Sequence, residues 1–130
     1  MNFRLKGCKK AIDSFIANPY WNYFFPSIRK EEARTKLIHN VSNPNNFCRF
    51  SPRLSVAVKP YAFNRLHEIH IPTLIIISDQ DHLFNIETAE ALHKSIKPSS
   101  KIIMQDCSHL PFVEASNEFN QAVLDFLAKG

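Results

Sequence analysis

The sequence predicts an α/β fold: a helical segment over residues 1–65, followed over 66–130 by a parallel β-α-β-α part, the two forming one structural unit. Three observations carry this. Thr73-Leu74-Ile75-Ile76-Ile77, directly after Pro72, is a short β-branched run without alternation, the pattern of a strand covered on both faces. Lys101-Ile102-Ile103-Met104 is a second such run. Between them lies a segment with apolar residues at helical spacing, and strand–helix–strand implies parallel pairing through a right-handed crossover.

In chain order, Cys8, Ile12, Phe15 and Ile16 recur at helical spacing and predict a helix from Gly7 to about Ala17. Tyr20, Trp21, Tyr23, Phe24 and Phe25 follow as a dense aromatic stretch closed by Pro26. Such a stretch can line an acyl or aryl pocket or form the core of the helical segment. Ser27 opens a helix predicted over 28–39, with Glu31 and Glu32 favourable near its positive end. Asn43-Pro44-Asn45-Asn46 predicts a loop over 40–50. Ser51-Pro52 reads as an N-cap with proline at the first helical position, opening a short helix that Pro60 ends or bends. In the second half, Ile86, Ala89, Leu92 and Ile96 share one face of a helix that Pro98 stops. Ser116 can cap a last helix, in which Phe119, Val123, Phe126 and Leu127 form a stripe.

Composition narrows the function classes. At 130 residues, 45% hydrophobic and 22% charged, the chain is ordinary globular material for one domain. Its two glycines, Gly7 and Gly130, are too few and too far apart for a Walker loop, a dinucleotide-binding turn or a G-x-S-x-G nucleophile elbow. No cofactor is therefore expected. Cys8, Cys48 and Cys107 are odd in number and form no C-x-x-C, so neither a disulfide framework nor a zinc knuckle is predicted. His67-Glu68-Ile69-His70 is one residue short of H-E-x-x-H and runs into Ile-Pro, which suggests a strand, so no metal site is predicted. No stretch is apolar enough for a signal peptide or a membrane span, and the expected location is the cytoplasm.

The net charge of +4 hides an asymmetry: residues 1–65 hold twelve Lys and Arg against three acids, residues 66–130 four against nine. A basic arm can meet an anionic partner. The basic residues are scattered, however, with no run longer than two, so attraction between the two halves is favoured and no nucleic-acid partner is expected.

Chemistry is expected at the carboxyl ends of the parallel strands. Two loops leave such ends, Ser78-Asp79-Gln80-Asp81-His82 and Gln105-Asp106-Cys107-Ser108-His109-Leu110-Pro111. Neighbouring strands lie about 4.8 Å apart, so an acid on one loop can reach an imidazole on the other. An Asp bonded to the far nitrogen of His fixes its tautomer and leaves the near nitrogen as a general base. Asp79 and Asp81 both qualify as the acid, Asp81 can instead cap the following helix, and His109 can be an ordinary loop histidine. Cys107 and Ser108 flank His109, but adjacent residues on a strand-like loop point apart. Cys48 and Ser51 lie in the basic half.

The stretch from about Leu66 to Lys129 resembles the C-terminal end of an α/β-hydrolase. Ile71-Pro72-Thr73-Leu74-Ile75-Ile76-Ile77 is similar to that family's penultimate core strand, and Ser78-Asp79-Gln80-Asp81 to its G-x-x-D turn. Ser108-His109-Leu110-Pro111-Phe112-Val113-Glu114 resembles its G-H-x-P-x-x-E loop. Phe119 to Leu127 looks like its closing helix, and residues 7–65 resemble its helical cap in kind and position. The resemblance implies that Asp81 is the acid and His109 the base of a catalytic triad acting on an ester or similar acyl bond of a small molecule. Ser78 and Ser108 stand where that family has glycine, and Asn85 where a proline is common. The family's nucleophile elbow lies upstream of the cap, and no such segment occurs in this sequence. The expectation is therefore a chain with the acid and base of a triad but no nucleophile, inactive alone. A buried strand with one neighbour predicts pairing at the open sheet edge, with a second polypeptide or with itself. The rival expectations are a non-catalytic remnant or binding protein and, third, a basic interaction module using residues 1–65.

Overall fold

The computed structural model describes residues 3–47 and 62–129. Helix α1 (Phe3–Ala17) leads into a 3-10 helix, Pro19–Phe24, then α2 (Glu31–Ser42) and α3 (Pro44–Phe47). A second 3-10 helix, Phe63–Glu68, precedes β1 (Thr73–Ser78), α4 (Leu83–Ser95), β2 (Ser99–Met104), α5 (Pro111–Glu114) and α6 (Ser116–Leu127). The two strands pair in parallel, from Thr73 opposite Ser99 to Ser78 opposite Met104. This is the β-α-β-α order read from the sequence.

Trp21, Phe24 and Phe25 of the aromatic stretch pack in the core, whereas Tyr20 is 60% exposed. Asn18 caps the first 3-10 helix by accepting from the Tyr20 N–H at 3.0 Å, with Pro19 in its first turn. That tight turn throws Trp21, Phe24 and Phe25 onto α1, where the Phe15 ring lies 5.1, 5.3 and 5.4 Å from theirs. Ile12, Phe25, Leu37 and Val41 are the buried centre of this cluster, and Leu110 from the far end of the chain packs against it. The Arg34 guanidinium covers the Phe25 ring at 5.7 Å and donates to the Pro26 carbonyl at 2.6 Å.

Three local expectations are corrected. Ser27 does not cap α2: its hydroxyl accepts from the Arg29 N–H in a turn, and the helix starts at Glu31 without a side-chain cap. The predicted loop at 40–50 is helical through Ser42 and again over Pro44–Phe47, because Asn43 caps the second turn by accepting from the Asn45 N–H at 3.0 Å. Ser116 is the first residue of α6, not its cap. Cys8 is disulfide-bonded, which the cysteine count did not predict. The predicted Ser51-Pro52 helix and its end at Pro60 lie outside the described residues.

β1 is less covered than a strand buried on both faces. Ile75 and Ser78 are buried and its other residues half-buried, since β2 and α4 shield it but, among the described residues, no strand pairs with its other edge. No residue of α6 is buried; Leu124 and Leu127 stay 60% and 66% exposed. Ile71, Leu83, Phe84 and Ile103 are also exposed. None of the described helices is long and apolar enough to cross a membrane.

Candidate active site

The two loops at the carboxyl ends of β1 and β2 are bonded to each other along their length. Asp79 N–H donates to the Met104 carbonyl and Gln80 N–H to the Cys107 carbonyl, both at 3.0 Å. In return the Asp79 carboxylate accepts from Cys107 N–H at 3.2 Å, and the Gln80 amide donates to the Asp106 carboxylate at 2.8 Å. Asp106 takes a left-handed conformation (φ 52°) that turns the chain out of β2. Of the two acids left open by the sequence, Asp79 is thus committed to the loop backbone.

Asp81 faces His109. Both of its carboxylate oxygens lie 3.0 Å from the imidazole Nδ1. The Asp81 side chain is 5% exposed and that of His109 36%, so the acid is enclosed while part of the ring is open. Asp81 Oδ1 also accepts from the His82 N–H at 2.6 Å and the Asn85 amide at 2.8 Å, at the start of α4. His82 itself caps α4 through its ring Nδ1, which accepts from Phe84 N–H at 3.2 Å.

The helical segment holds His109 from the other side. The His109 N–H donates to the Tyr23 carbonyl at 3.0 Å. The Phe24 ring lies at 5.4 Å and 34° to the imidazole, and the Tyr23 ring meets it edge-on at 6.0 Å. Tyr23 also packs on His82 at 4.9 Å, and Tyr20 touches the same ring at 6.0 Å. Partial burial, then the nearby Tyr20 and Asp81, raise the Tyr23 hydroxyl above the usual phenol range. The aromatic stretch is therefore both core and wall of the site.

Beneath the histidine loop sits a charged cluster. The side chain of Glu114 is wholly enclosed; its Oε1 accepts from the Ser108 N–H at 2.9 Å, and its Oε2 has no hydrogen-bond partner among the described residues. Lys30 lies 3.8 Å from Glu114 and from Asp106, donates to the Asp106 carbonyl and reaches the Cys107 sulfur at 3.6 Å. Burial pushes the Glu114 carboxyl up, against the Ser108 hydrogen bond and Lys30. Burial likewise pushes the Cys107 thiol up. Cys107 and Ser108 are 0% and 4% exposed, so neither presents its side chain beside His109. Cys48 and Ser51 lie outside the described residues. An open hollow of about 840 Å³ adjoins this cluster between the start of α2 and the end of α5, and neither Asp81 nor His109 lines it.

Lys30, Tyr23 and Asn85 acquire contacts that no sequence pattern announced. Lys30 is one of many scattered basic residues, and its partners lie more than 70 positions away. Asn85 stood out only as a departure from a family proline.

No family model matches the sequence. It is 34% identical over 88 residues to a 2-hydroxy-6-oxononadienedioate/2-hydroxy-6-oxononatrienedioate hydrolase of Klebsiella pneumoniae, covering 68% of this chain and 26% of that protein. It is 29% identical over 123 residues to hydrolase 2 of the same description from Pseudomonas putida, covering 92% of this chain and 40% of that one. MenH from S. aureus superposes on 97% of this chain with a TM-score of 0.65 at 20% identity, over 49% of its own length. The chain thus spans about a quarter to two-fifths of the curated relatives and half of the solved structure. With a parallel β-α-β-α unit and a helical segment laid over its strand ends, the chain belongs to the α/β-hydrolase fold family.

Proposed function

We propose that this chain supplies the acid and the base of a serine-hydrolase triad, Asp81 and His109, for cleavage of an ester or similar acyl bond in a small molecule. The observation that carries the reading is the Asp81–His109 pair, at 3.0 Å across two loops that leave adjacent parallel strands. With the Nδ1 proton donated to an enclosed carboxylate, Nε2 is the bare nitrogen. It can take a proton from a serine hydroxyl as that oxygen attacks the carbonyl, and return it to the leaving group. Asp81 stabilises the imidazolium formed in between. The relatives' names add support, since two of them are hydrolases of substrates with an oxo group.

The serine and the oxyanion donors come, in this proposal, from polypeptide outside these 130 residues, docked at the open edge of β1. The half-covered β1 and the exposed apolar residues of α6 suit such an apposition. A fluorophosphonate probe, which phosphonylates activated serines, tests this on tagged chain recovered from its own cells. The expected result is label on protein outside these residues, lost when the chain carries His109→Ala. Label on a serine of this chain, label indifferent to His109, or none at all refutes the reading.

A further inference from the structure

Asp81 Oδ1 receives more donors than a carboxylate oxygen ordinarily accommodates. His82 N–H at 2.6 Å, Asn85 Nδ2 at 2.8 Å and His109 Nδ1 at 3.0 Å all converge on it, while Oδ2 has only His109 at 3.0 Å. Asn85 Nδ2 and His109 Nδ1 stand 3.3 Å apart and reach the same oxygen side by side, where with the His82 N–H three donors share about two lone-pair sites. The amide and the imidazole therefore compete for Oδ1, and the imidazole alone has a second choice.

From this geometry we infer that Asn85 is a positioning residue: it occupies Oδ1 together with the start of α4 and reserves Oδ2 for the His109 proton. The inference rests on the proposed roles of Asp81 and His109. Asn85 lies in the first turn of α4, and its own N–H donates to the His82 carbonyl at 2.8 Å, so its side chain is anchored by the helix. A carboxylate gripped on one oxygen does not swing, and a ring nitrogen with one acceptor keeps one tautomer. The remaining neighbours of His109 compete little for its proton. Phe24 and Tyr23 present rings, and the nearby His82 ring is turned to the Phe84 N–H. A proline at this position, common in the resembled family, has no side-chain donor.

The test is ¹⁵N and ¹H NMR of the imidazole of His109 in the whole chain, with no substrate. The expected wild-type signature is one tautomer, protonated at Nδ1, with that proton slow to exchange with water. Asn85→Leu has nearly the same shape and no donor, and should speed the exchange about ten-fold, the scale of one lost charge-assisted hydrogen bond, and admit the second tautomer. Asn85→Ala removes the donor without adding an acceptor and should do the same. Alanine is the best helix former, so this variant remains folded if the leucine variant does not. A wild-type ring protonated at Nε2, or both variants with wild-type exchange and ring shifts, overturns the inference. Failure of the hydrolase reading would instead appear as probe labelling indifferent to His109 beside an intact tautomer lock.

Discussion

Glu114→Ala strikes the support of the histidine loop without touching Asp81 or His109. The Ser108 N–H would lose its carboxylate acceptor in a place where Ser108 is 4% exposed and water does not replace it. A buried donor stripped of its partner costs about 1–3 kcal/mol. The vacated carboxylate also leaves Lys30 one partner fewer, although Asp106 remains beside it. The expected loss is about 2–3 kcal/mol, read from urea denaturation as a lower midpoint at unchanged slope. Glu114→Gln keeps an acceptor for Ser108 and should cost far less. The comparison also carries a pH signature. Burial raises the Glu114 carboxyl in the folded state above its value of 4.5 in the unfolded chain. Between those two values the folded state binds more protons, so wild-type stability falls as pH rises. The glutamine variant lacks that loss and should gain on wild type as pH rises above 4.5. Amide exchange at Ser108 and His109 should accelerate in the alanine variant alone. An alanine variant within 0.5 kcal/mol of wild type, or a glutamine variant that loses ground with rising pH, refutes the reasoning.

Ser78→Ala should stabilise the chain by about 0.5–1.5 kcal/mol, because the Ser78 hydroxyl is buried and has no hydrogen-bond partner among the described residues; thermal melting reads the gain. Phe25→Ala should cost about 3–5 kcal/mol in the same measurement, since Phe25 is 2% exposed at the centre of the helical cluster. Alkylation of Cys107 by iodoacetamide at pH 8 should be slow in the folded chain and fast in denaturant, as its thiol is fully enclosed and raised by burial. In an active assembly, Asp81→Asn should lower turnover by about 10³–10⁴-fold with binding little changed, checked by ester hydrolysis at saturating substrate.

The elements legible in the sequence are those whose pattern is set locally. The β-branched run at 73–77 and the face Ile86, Ala89, Leu92, Ile96 specify a strand and a helix by local pattern alone; the structure extends the strand to Ser78, starts the helix at Leu83 and ends it at Ser95, with Ile96 as an extended C-cap rather than its last turn. Asp81 and His109 could be paired on paper because parallel order brings two carboxyl ends side by side. Helix starts were harder. Ser27, Asn43 and Ser116 are all good caps, and tertiary contacts decide which of them acts as one. Lys30 meets Glu114 and Tyr23 meets His109 across the two halves of the chain, links that neither spacing nor propensity encodes.

The hydrogen bond from the His109 N–H to the carbonyl of Tyr23 has an evolutionary consequence. A main-chain carbonyl is supplied by any amino acid, so residue 23 can change its side chain without releasing His109. The neighbouring wall, which Tyr23 shares with Tyr20 and His82, can be re-lined for new ligands while the imidazole stays where it is. Under the proposed roles, diversification of what is recognised is thereby uncoupled from preservation of what reacts. Drift at position 23 is expected to be tolerated where drift at 109 is not.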